Sequence, residues 1–267
     1  MAAKTSSRVI VVANQKGGVG KTTTAINLAT ALAAIGKTVL IMDIDPQGNA
    51  STGLGIDKNA REISTYDLLT GAASLKHTLV ATAVPRLYVS PSTLDLLGVE
   101  MEISTAADRT WRIKRAIEEY IPDDIFFDHI LIDCPPSLNL LTLNAMAAAH
   151  ALLVPLQCEF FALEGLSQLL QTFEQVRATI NAELELQGVV LTMYDSRNSL
   201  SDQVVEDVRA FLGPKVYDTI IPRNVRLSEA PSYGKPAILY DLKCSGSQAY
   251  LKLASEVIKR ERKLTAA

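Results

Sequence analysis

A glycine-rich loop near the amino terminus constrains the fold of this chain more than any other feature. The stretch ANQKGGVGKTTT (13–24) holds three glycines with a lysine on either side. It follows a short run of mostly β-branched residues, RVIVVA (8–13), and leads into a helix pattern over 22–35. In a strand–loop–helix unit of this kind, consecutive backbone N–H groups form an anion-binding nest, and the helix start adds its positive dipole end. The order of elements therefore predicts a phosphate-binding loop.

Each residue type in a P-loop has its own task. Glycine lets the backbone approach the phosphates closely, while Lys21 is expected to reach the β- and γ-phosphates and the Thr22 hydroxyl to bind Mg²⁺. The first glycine of the usual pattern is replaced by Gln15. The alternative interpretation is a glycine-rich turn beside an ordinary surface lysine. The predicted nucleotide-binding residues of the loop are Lys16, Gly17, Gly18, Val19, Gly20, Lys21, Thr22 and Thr23.

Lys16 stands before the nest, so its side chain need not point at the phosphates that its own loop holds. It could project across an interface to phosphates bound by a second subunit. A positive charge there would stabilise the charge that develops on a transferred phosphoryl group. On the residues alone, a solvated lysine is equally compatible with this position.

Short apolar runs alternate with helix patterns along the chain, which is typical of βαβ units on a parallel sheet. The runs lack a period-two alternation, so we expect both faces of the sheet to be covered. The sequence thus predicts an α/β fold with a doubly wound, mostly parallel β-sheet flanked by helices. The predicted strands are 8–13, 38–45, 128–136, 151–156, 186–195 and 215–222, and the predicted helices are 22–35, 108–120, 139–149, 163–180, 201–212 and about 247–263.

No linker, repeat or low-complexity tract divides the chain. We therefore predict a single P-loop domain over 1–267, with a flexible start at 1–7 and a frayed tail at 260–267. Its net charge of −3 provides no global attraction to nucleic acid or anionic membrane, so binding to either requires a local basic patch. No apolar run approaches the ~20 residues that span a bilayer.

The three cysteines, Cys134, Cys158 and Cys244, are far apart in the sequence and form no C-x-x-C pair. This spacing argues against a disulfide framework and against a cysteine-only metal site within one chain. A reducing cytoplasm is the expected compartment.

Carboxylates follow two of the predicted strands. Asp43 and Asp45 end the run TVLIMDID, and Asp133 ends the apolar strand of HILIDCPPS. Ligands bind beyond the carboxyl ends of strands in such sheets. Asp133 has the position of a Walker B aspartate and is expected near Mg²⁺, through water. Asp45 could orient a water molecule, and the alternative for it is a simple Asp-Pro turn.

The segment KGGVGKTT resembles the deviant Walker A loop of the ParA/MinD group of P-loop ATPases. The likeness is nearest to the chromosomal ParA/Soj branch and extends from Val9 to about Lys259. Four further segments look like ParA sequence: DIDPQGNAS (43–51), CEFFALEGLSQLL (158–170), VVLTMYDSRNS (189–199) and IIPRNVRLSEAPSYGKP (220–236).

The resemblance implies a set of site roles. ATP and Mg²⁺ are the implied cofactors, and Lys16 is implied to contact nucleotide across a sandwich homodimer. Asp45 is implied to position the attacking water, so that Lys16, Lys21 and Asp45 are the expected catalytic residues. Pro222 and Asn224 are implied to line the adenine base.

The resemblance also implies a biological role in segregating a chromosome or plasmid. The ATP-bound dimer is expected to bind double-stranded DNA without sequence preference and to associate with the nucleoid. A centromere-binding ParB-type partner is expected to stimulate a weak intrinsic ATPase activity and so release the DNA. Candidate DNA contacts are Arg197, Arg223 and Arg226, with Lys235, Lys243 and IKRERK (258–263) as further candidates. The alternative for each arginine is a solvated face or an internal ion pair.

Two other functions remain open at the level of sequence. A MinD-like, membrane-surface positioning ATPase would end in an amphipathic helix lying on the bilayer. The apolar stripe of the last predicted helix suits core packing, and an interfacial anchor needs more apolar area after Lys259 than the sequence offers. A P-loop metabolic enzyme, either a synthetase or an iron–sulfur carrier, would need a substrate constellation or paired cysteines that the sequence does not display. The stripe consists of Tyr250, Leu253, Ala254, Val257 and Ile258.

Overall fold

A seven-stranded sheet forms the centre of the molecule. The computed structural model describes residues 7–120 and 125–265. The strand order is β3-β4-β2-β5-β1-β6-β7, and every neighbouring pair is parallel except β3 with β4. This arrangement confirms the predicted doubly wound, mostly parallel fold. The strands are β1 Arg8–Val12, β2 Val39–Asp43, β3 Val80–Ala81, β4 Leu87–Ser90, β5 His129–Asp133, β6 Ala151–Gln157 and β7 Glu185–Thr192.

Helices cover both faces of the sheet. The residues of β1 show how: Val9 and Val11 join the apolar cluster on one face, whereas Ile10 and Val12 join the cluster on the other. Burial on both faces explains the continuous apolar runs in the sequence. The α-helices are α1 Lys21–Ala34, α2 Asn49–Gly53, α3 Thr65–Thr70, α4 Leu75–Thr78, α5 Val99–Glu102, α6 Arg112–Glu118, α7 Leu140–Ala148, α8 Ala162–Thr179, α9 Ser199–Leu212, α10 Val225–Glu229, α11 Ala237–Tyr240 and α12 Ser245–Thr265.

Helix α12 packs its apolar stripe into the core against α1. Tyr250, Leu253 and Val257 are buried, and the Tyr250 hydroxyl lies 3.1 Å from Thr24 Oγ1. The helix continues to Thr265, so residues 260–265, expected as a frayed tail, are helical. Residues 1–6, which make up most of the expected flexible start, lie outside the described residues. Within the described ranges, none of the helices is both long and apolar enough to cross a membrane.

One predicted strand is wrong. The segment 215–222 runs beside β7 but makes only isolated bridges, at Val216 and Pro222. The reason lies in the backbone amides of Asp218 and Thr219, which donate to the two carboxylate oxygens of Glu256 at 2.9 and 3.1 Å. A side chain of α12 thus takes the place of a regular β-ladder over this stretch.

Candidate functional site

The loop between β1 and α1 forms an open cradle at the carboxyl edge of the sheet. Gly18 and Gly20 have φ angles of 76° and 89°, a region that L-residues with side chains seldom adopt. A Cβ atom built on Gly17 or Gly18 would meet no heavy atom within 4 Å. The Thr192 hydroxyl at the end of β7 donates to the Val19 carbonyl at 2.8 Å and ties the loop to the sheet. The backbone of the loop is therefore accessible to a ligand and fixed from behind.

Lys21 is the first residue of α1 and is only 7% exposed. Its ammonium donates to the Lys16 carbonyl at 3.0 Å, so the side chain folds back over its own loop. Burial lowers the pKa of Lys21 below its ordinary value, and the charges of Asp133 and Asp45 oppose that shift. A cation held over an open nest of N–H groups is suited to binding phosphate.

The side chain of Lys16 points away from this cradle. Its ammonium forms an ion pair with Glu159, just beyond the end of β6. Its backbone N–H donates to Asn14 Oδ1 at 3.0 Å, and the Asn14 amide donates to the Pro155 carbonyl at 2.8 Å. The backbone of Lys16 is therefore fixed, whereas its ammonium lies at the partly exposed rim of the site.

Asp133 ends β5 directly beside the loop and is completely buried. Among the residues that the structure describes, neither of its carboxylate oxygens finds a hydrogen bond of good geometry. Burial raises its pKa well above the ordinary value, and the charge of Asp43 adds to this effect, while Thr22 and Lys21 oppose it. A buried carboxylate without partners is costly, and a divalent cation would remove that cost. Mg²⁺ commonly binds one or two protein oxygens plus substrate phosphates, and Thr22 with Asp133 is such a pair.

Asp43 and Asp45 have different surroundings, although they are two residues apart. Asp43 Oδ2 accepts hydrogen bonds from the Ser51 amide at 2.8 Å and the Ser51 hydroxyl at 2.7 Å. Burial raises the pKa of Asp43 to about 6, and these hydrogen bonds oppose the shift. Asp45 instead begins a turn in which its Oδ1 accepts from the Gln47 amide at 3.0 Å. Asp43 has a structural role through Ser51, whereas Asp45 combines the turn with a position facing the loop.

A cavity of about 230 Å³ adjoins the start of α1. Pro222 and Asn224, the two residues expected beside a base, both line it together with Thr23. Asn224 is fixed there, because its Oδ1 caps α10 by accepting from the Arg226 amide and its Nδ2 donates to Ser245 Oγ at 2.9 Å. Since this cavity and the loop share Gly20 and Thr23, one ligand could occupy both.

The three arginines predicted to contact DNA are exposed and differ in their partners, and Arg223 also lines this cavity. Arg197 makes two hydrogen bonds to the carboxylate of Asp195, at 2.9 and 2.8 Å. Arg226 forms ion pairs with Glu229 and Asp241 at 2.8 and 3.6 Å. Arg223 is exposed, and within the described ranges its guanidinium makes no hydrogen bond or ion pair.

The further basic candidates also divide into two groups. Lys235 and Lys243 are exposed, and their ammonium groups form no ion pair with the described part of the chain. Arg260, in IKRERK, instead pairs with Glu256 at 2.8 Å and lies over the ring of Tyr217. That arginine belongs to the internal packing of α12.

The structure thus brings the predicted phosphate, metal and base residues to one edge of the sheet. Sequence reasoning did not anticipate Asn14, Glu159 or Thr192, which hold the loop and Lys16 in place. Thr192 carries a usable signal, because it is a hydroxyl residue at the end of a buried strand. Nothing local in the sequence marks Asn14 or Glu159.

The chain matches the family model described as an AAA domain over residues 7–186. It is 63% identical to the chromosome partitioning protein ParA of Caulobacter vibrioides, covering 96% of this chain and 95% of that protein. It is 52% identical to the sporulation initiation inhibitor protein Soj of Bacillus subtilis, covering 94% and 98%.

A solved structure described as cobyrinic acid a,c-diamide synthase from Mycobacterium smegmatis, with bound ATP analogue and magnesium, is also similar. It is 38% identical with a TM-score of 0.84, and the match covers 95% of this chain and 94% of that one. The two curated relatives span nearly the whole chain at higher identity. The chain therefore belongs to the ParA/Soj family of partitioning ATPases.

Proposed function

We propose that this protein segregates DNA by cycling between an ATP-bound sandwich dimer, which binds duplex DNA without sequence preference, and a released state formed after hydrolysis. Family membership supports a partitioning ATPase in general. The dimer, the DNA contacts, the slow intrinsic rate and stimulation by a ParB-type partner are the parts that we add.

The cofactors of this cycle are ATP and Mg²⁺. The similar solved structure holds an ATP analogue with magnesium, in agreement with the prediction from the loop. In this chain the open nest, the Lys21 ammonium and the unpartnered carboxylate of Asp133 suit a magnesium–nucleotide. Thr22 and Asp133 would hold the metal, which when bound neutralises phosphate charge.

The observation that carries the dimer is the surface around Lys16. Its ammonium and Glu159 lie beside Phe160 and Phe161, which are 75% and 60% exposed. Adjacent exposed aromatic rings mark surfaces for protein contact. In the dimer, the Lys16 ammonium would leave Glu159 and pair with a phosphate of the ATP that the facing subunit binds. Its positive charge would then lie where negative charge develops during hydrolysis. Asp45, whose charge acts on the Lys21 ammonium, would orient the attacking water.

DNA binding would follow from dimerisation. Phosphate contacts need Lys or Arg without base-reading geometry, so Arg223, Lys235 and Lys243 are the best-suited candidates because their side chains form no ion pair with the described residues. A few such residues bind weakly, but two patches fixed in one dimer bind much more tightly through effective concentration. ATP then controls DNA binding by controlling dimerisation, and the protein associates with the nucleoid.

The two alternative functions receive less support. The apolar stripe of α12 is packed against α1 and is therefore not presented to a bilayer. A metabolic role is favoured only by the description of the similar synthase structure, at lower identity than the two partitioning relatives.

The test is co-sedimentation and gel-shift binding to random-sequence duplex DNA with ATP, with ADP or without nucleotide, beside anionic liposomes. We expect ATP-dependent DNA binding that weakens steeply with salt, and no liposome binding. Lys16→Ala should still bind ATP but stay monomeric by light scattering and lose DNA binding. Lys37→Ala, which removes a comparable lysine paired with Asp128 at the opposite edge, is the matched control. A normal ATP-dependent dimer of Lys16→Ala, or DNA binding without ATP, would contradict the proposal.

A further inference from the structure

Arg61 is a buried arginine that encloses the loop after β2. It is 7% exposed, and its guanidinium donates four hydrogen bonds. Nη1 donates to the carbonyls of Ser92 at 3.0 Å and Gly48 at 3.3 Å. Nη2 donates to Thr52 Oγ1 at 2.8 Å and to the Ile56 carbonyl at 2.9 Å. The guanidinium thus spans α2 from its N-cap residue to the chain beyond its end.

Burial of the Arg61 guanidinium costs free energy, and holding a short helix does not require a buried charge. All four acceptors are neutral oxygens, and among the described residues no carboxylate forms an ion pair with Arg61. Its Nε is buried without a hydrogen-bond partner. Burial lowers the pKa of Arg61, and the charges of Asp43 and Asp57 oppose that shift without forming an ion pair with the guanidinium. A buried cation without a direct ion pair destabilises a fold, so its presence calls for a role beyond packing.

Two of the four acceptor residues also hold Asp45. The Ser92 hydroxyl donates to the Asp45 carbonyl at 2.5 Å, and the Gly48 amide donates to the same carbonyl at 2.8 Å. Through their carbonyls, Arg61 therefore fixes the two residues that bind the Asp45 carbonyl. Displacement of the guanidinium would release the turn that aims the Asp45 carboxylate.

Gly48 shows that the fit is close. Its φ is 62°, and a Cβ atom built there would lie 2.3 Å from Arg61 Nη1. Only glycine at this position lets the guanidinium reach the Gly48 carbonyl. Lysine at position 61 would have a single ammonium in place of a planar fork, so it would serve fewer of these acceptors.

We propose that Arg61 is a positioning residue for hydrolysis, acting through Gly48 and Ser92 to hold Asp45 in its water-orienting position. The inference rests on the proposed role of Asp45 in the ATPase cycle. A small misplacement of a catalytic group lowers turnover far more than it changes ground-state binding. Arg61 should therefore affect kcat and leave the KM for ATP and the ATP-dependent dimer nearly unchanged.

The test is a double-mutant cycle on ATP turnover with Arg61→Met and Asp45→Ala, alone and combined. We expect Arg61→Met to lower kcat roughly 10- to 100-fold with KM changed less than about threefold. Arg61→Lys should recover part of the loss. In the Asp45→Ala background, Arg61→Met should have no further effect on residual single-turnover hydrolysis, because the pathway through Asp45 is already removed. Arg86→Met, which loses one exposed contact to the Gly36 carbonyl, is the control for arginine removal.

Equal fold losses from Arg61→Met with and without Asp45 would show a merely structural role and overturn the inference, as would a wild-type kcat in Arg61→Met. If Arg61→Met does not fold, Arg61→Gln provides the same cycle, since its amide keeps two donors but cannot serve all four acceptors. Unchanged turnover in Asp45→Ala alone would instead contradict the proposed function, so the two failures are distinguishable.

Discussion

The buried charged groups at the two ends of the central strands differ in their partners. At the amino ends, the carboxylates have partners: His129 Nε2 lies 2.9 Å from Glu261 Oε2, and Arg8 approaches Glu261 and Glu185. At the carboxyl ends of the same sheet, Asp43 and Asp133 crowd together, and burial raises the pKa of both. Strand β5 contains both situations, with His129 as its first residue and Asp133 as its last.

This difference assigns a structural role to the charged groups at the amino end and a ligand-binding role to the carboxylates at the carboxyl end. At the amino end, Arg8, His129 and Glu261 contact one another or Glu185, so each carboxylate there has a partner on another element of the chain. Within the described ranges, Arg8 Nε and His129 Nδ1 still make no hydrogen bond.

At the carboxyl end, the buried Lys21 ammonium faces the carboxylates of Asp45 and Asp133. Asp43 adds a third carboxylate beside Asp133, and a bound cation would balance the excess negative charge. Substitutions at the first end should alter stability, and substitutions at the second should alter ligand binding.

The largest effect is expected at Lys21. Lys21→Met removes the buried ammonium over the loop and should weaken ATP binding about 100-fold, or about 3 kcal/mol. Lys37→Met, which breaks the pair with Asp128 at the other edge, should leave ATP affinity unchanged. Titration with a fluorescent ATP analogue measures both. Equal affinities for the two variants would remove the distinction between the ends.

The next effect concerns stability at the amino end. His129→Ala should lower the free energy of unfolding by roughly 2–4 kcal/mol, because it leaves a cavity and deprives Glu261 of a partner. Urea unfolding measures the change, and ATP turnover should not be affected. His77→Ala, at an exposed histidine that contacts Ser74 Oγ, should be nearly neutral. A turnover defect without loss of stability in His129→Ala would contradict the structural assignment.

Asp133→Asn, unlike His129→Ala, should raise the free energy of unfolding. We expect the nucleotide-free variant to be more stable than the wild type by about 1–2 kcal/mol at pH 8, because an unpaired buried carboxylate is removed. The raised native pKa means that the folded state binds a proton more tightly than the unfolded state, so the wild type loses stability as pH rises from about 4 through that pKa.

The gain in Asp133→Asn should therefore shrink at pH 5.5. Thermal unfolding at the two pH values measures it, at about 2–4 °C per kcal/mol. The variant should also lose the stabilisation that Mg²⁺ with ATP confers on the wild type. Equal melting temperatures of the two proteins at both pH values would show that Asp133 is not destabilising.

The smallest effect is expected for DNA binding, where an arginine without an ion pair can be compared with an ion-paired one on the surface. Arg223→Ala should weaken DNA binding severalfold and reduce the salt slope by about one, since this guanidinium forms no ion pair with the described residues and only influences Asp195 from a distance. Arg226→Ala should have a smaller effect, because Glu229 and Asp241 already neutralise it. Gel shifts across a salt series compare them, with ATP affinity measured in parallel because Arg223 also lines the 230 Å³ cavity. A larger loss from Arg226→Ala would reverse this ranking.

The parts of the site that follow from sequence are those that depend on local order. Lys21, Thr22 and Asp133 stand at strand ends or helix starts, so the parallel sheet necessarily brings them to one edge. The contact between Thr192 and Val19 joins positions 173 apart, and no local pattern reveals it. The same applies to Lys16 and Glu159, 143 positions apart.

The wrong strand at 215–222 has the same origin. Its apolar, β-branched sequence favours a strand, but Glu256 from the last helix takes two of its amides. Intrinsic β-propensity yields here to a tertiary contact. Arg61 is a further case, since only the folded structure shows a cation inserted among the carbonyls around Asp45.

The contact between Thr24 and Tyr250 joins residues 226 positions apart and places the last helix directly behind the first. Since α1 begins at the phosphate loop, a truncation before Tyr250 would remove the helix that packs behind α1. The loop would then lose this packing, although all the sequence motifs would still be present. A reporter protein appended for microscopy should accordingly be joined past the end of α12, through a flexible spacer, and never spliced in place of its final turns.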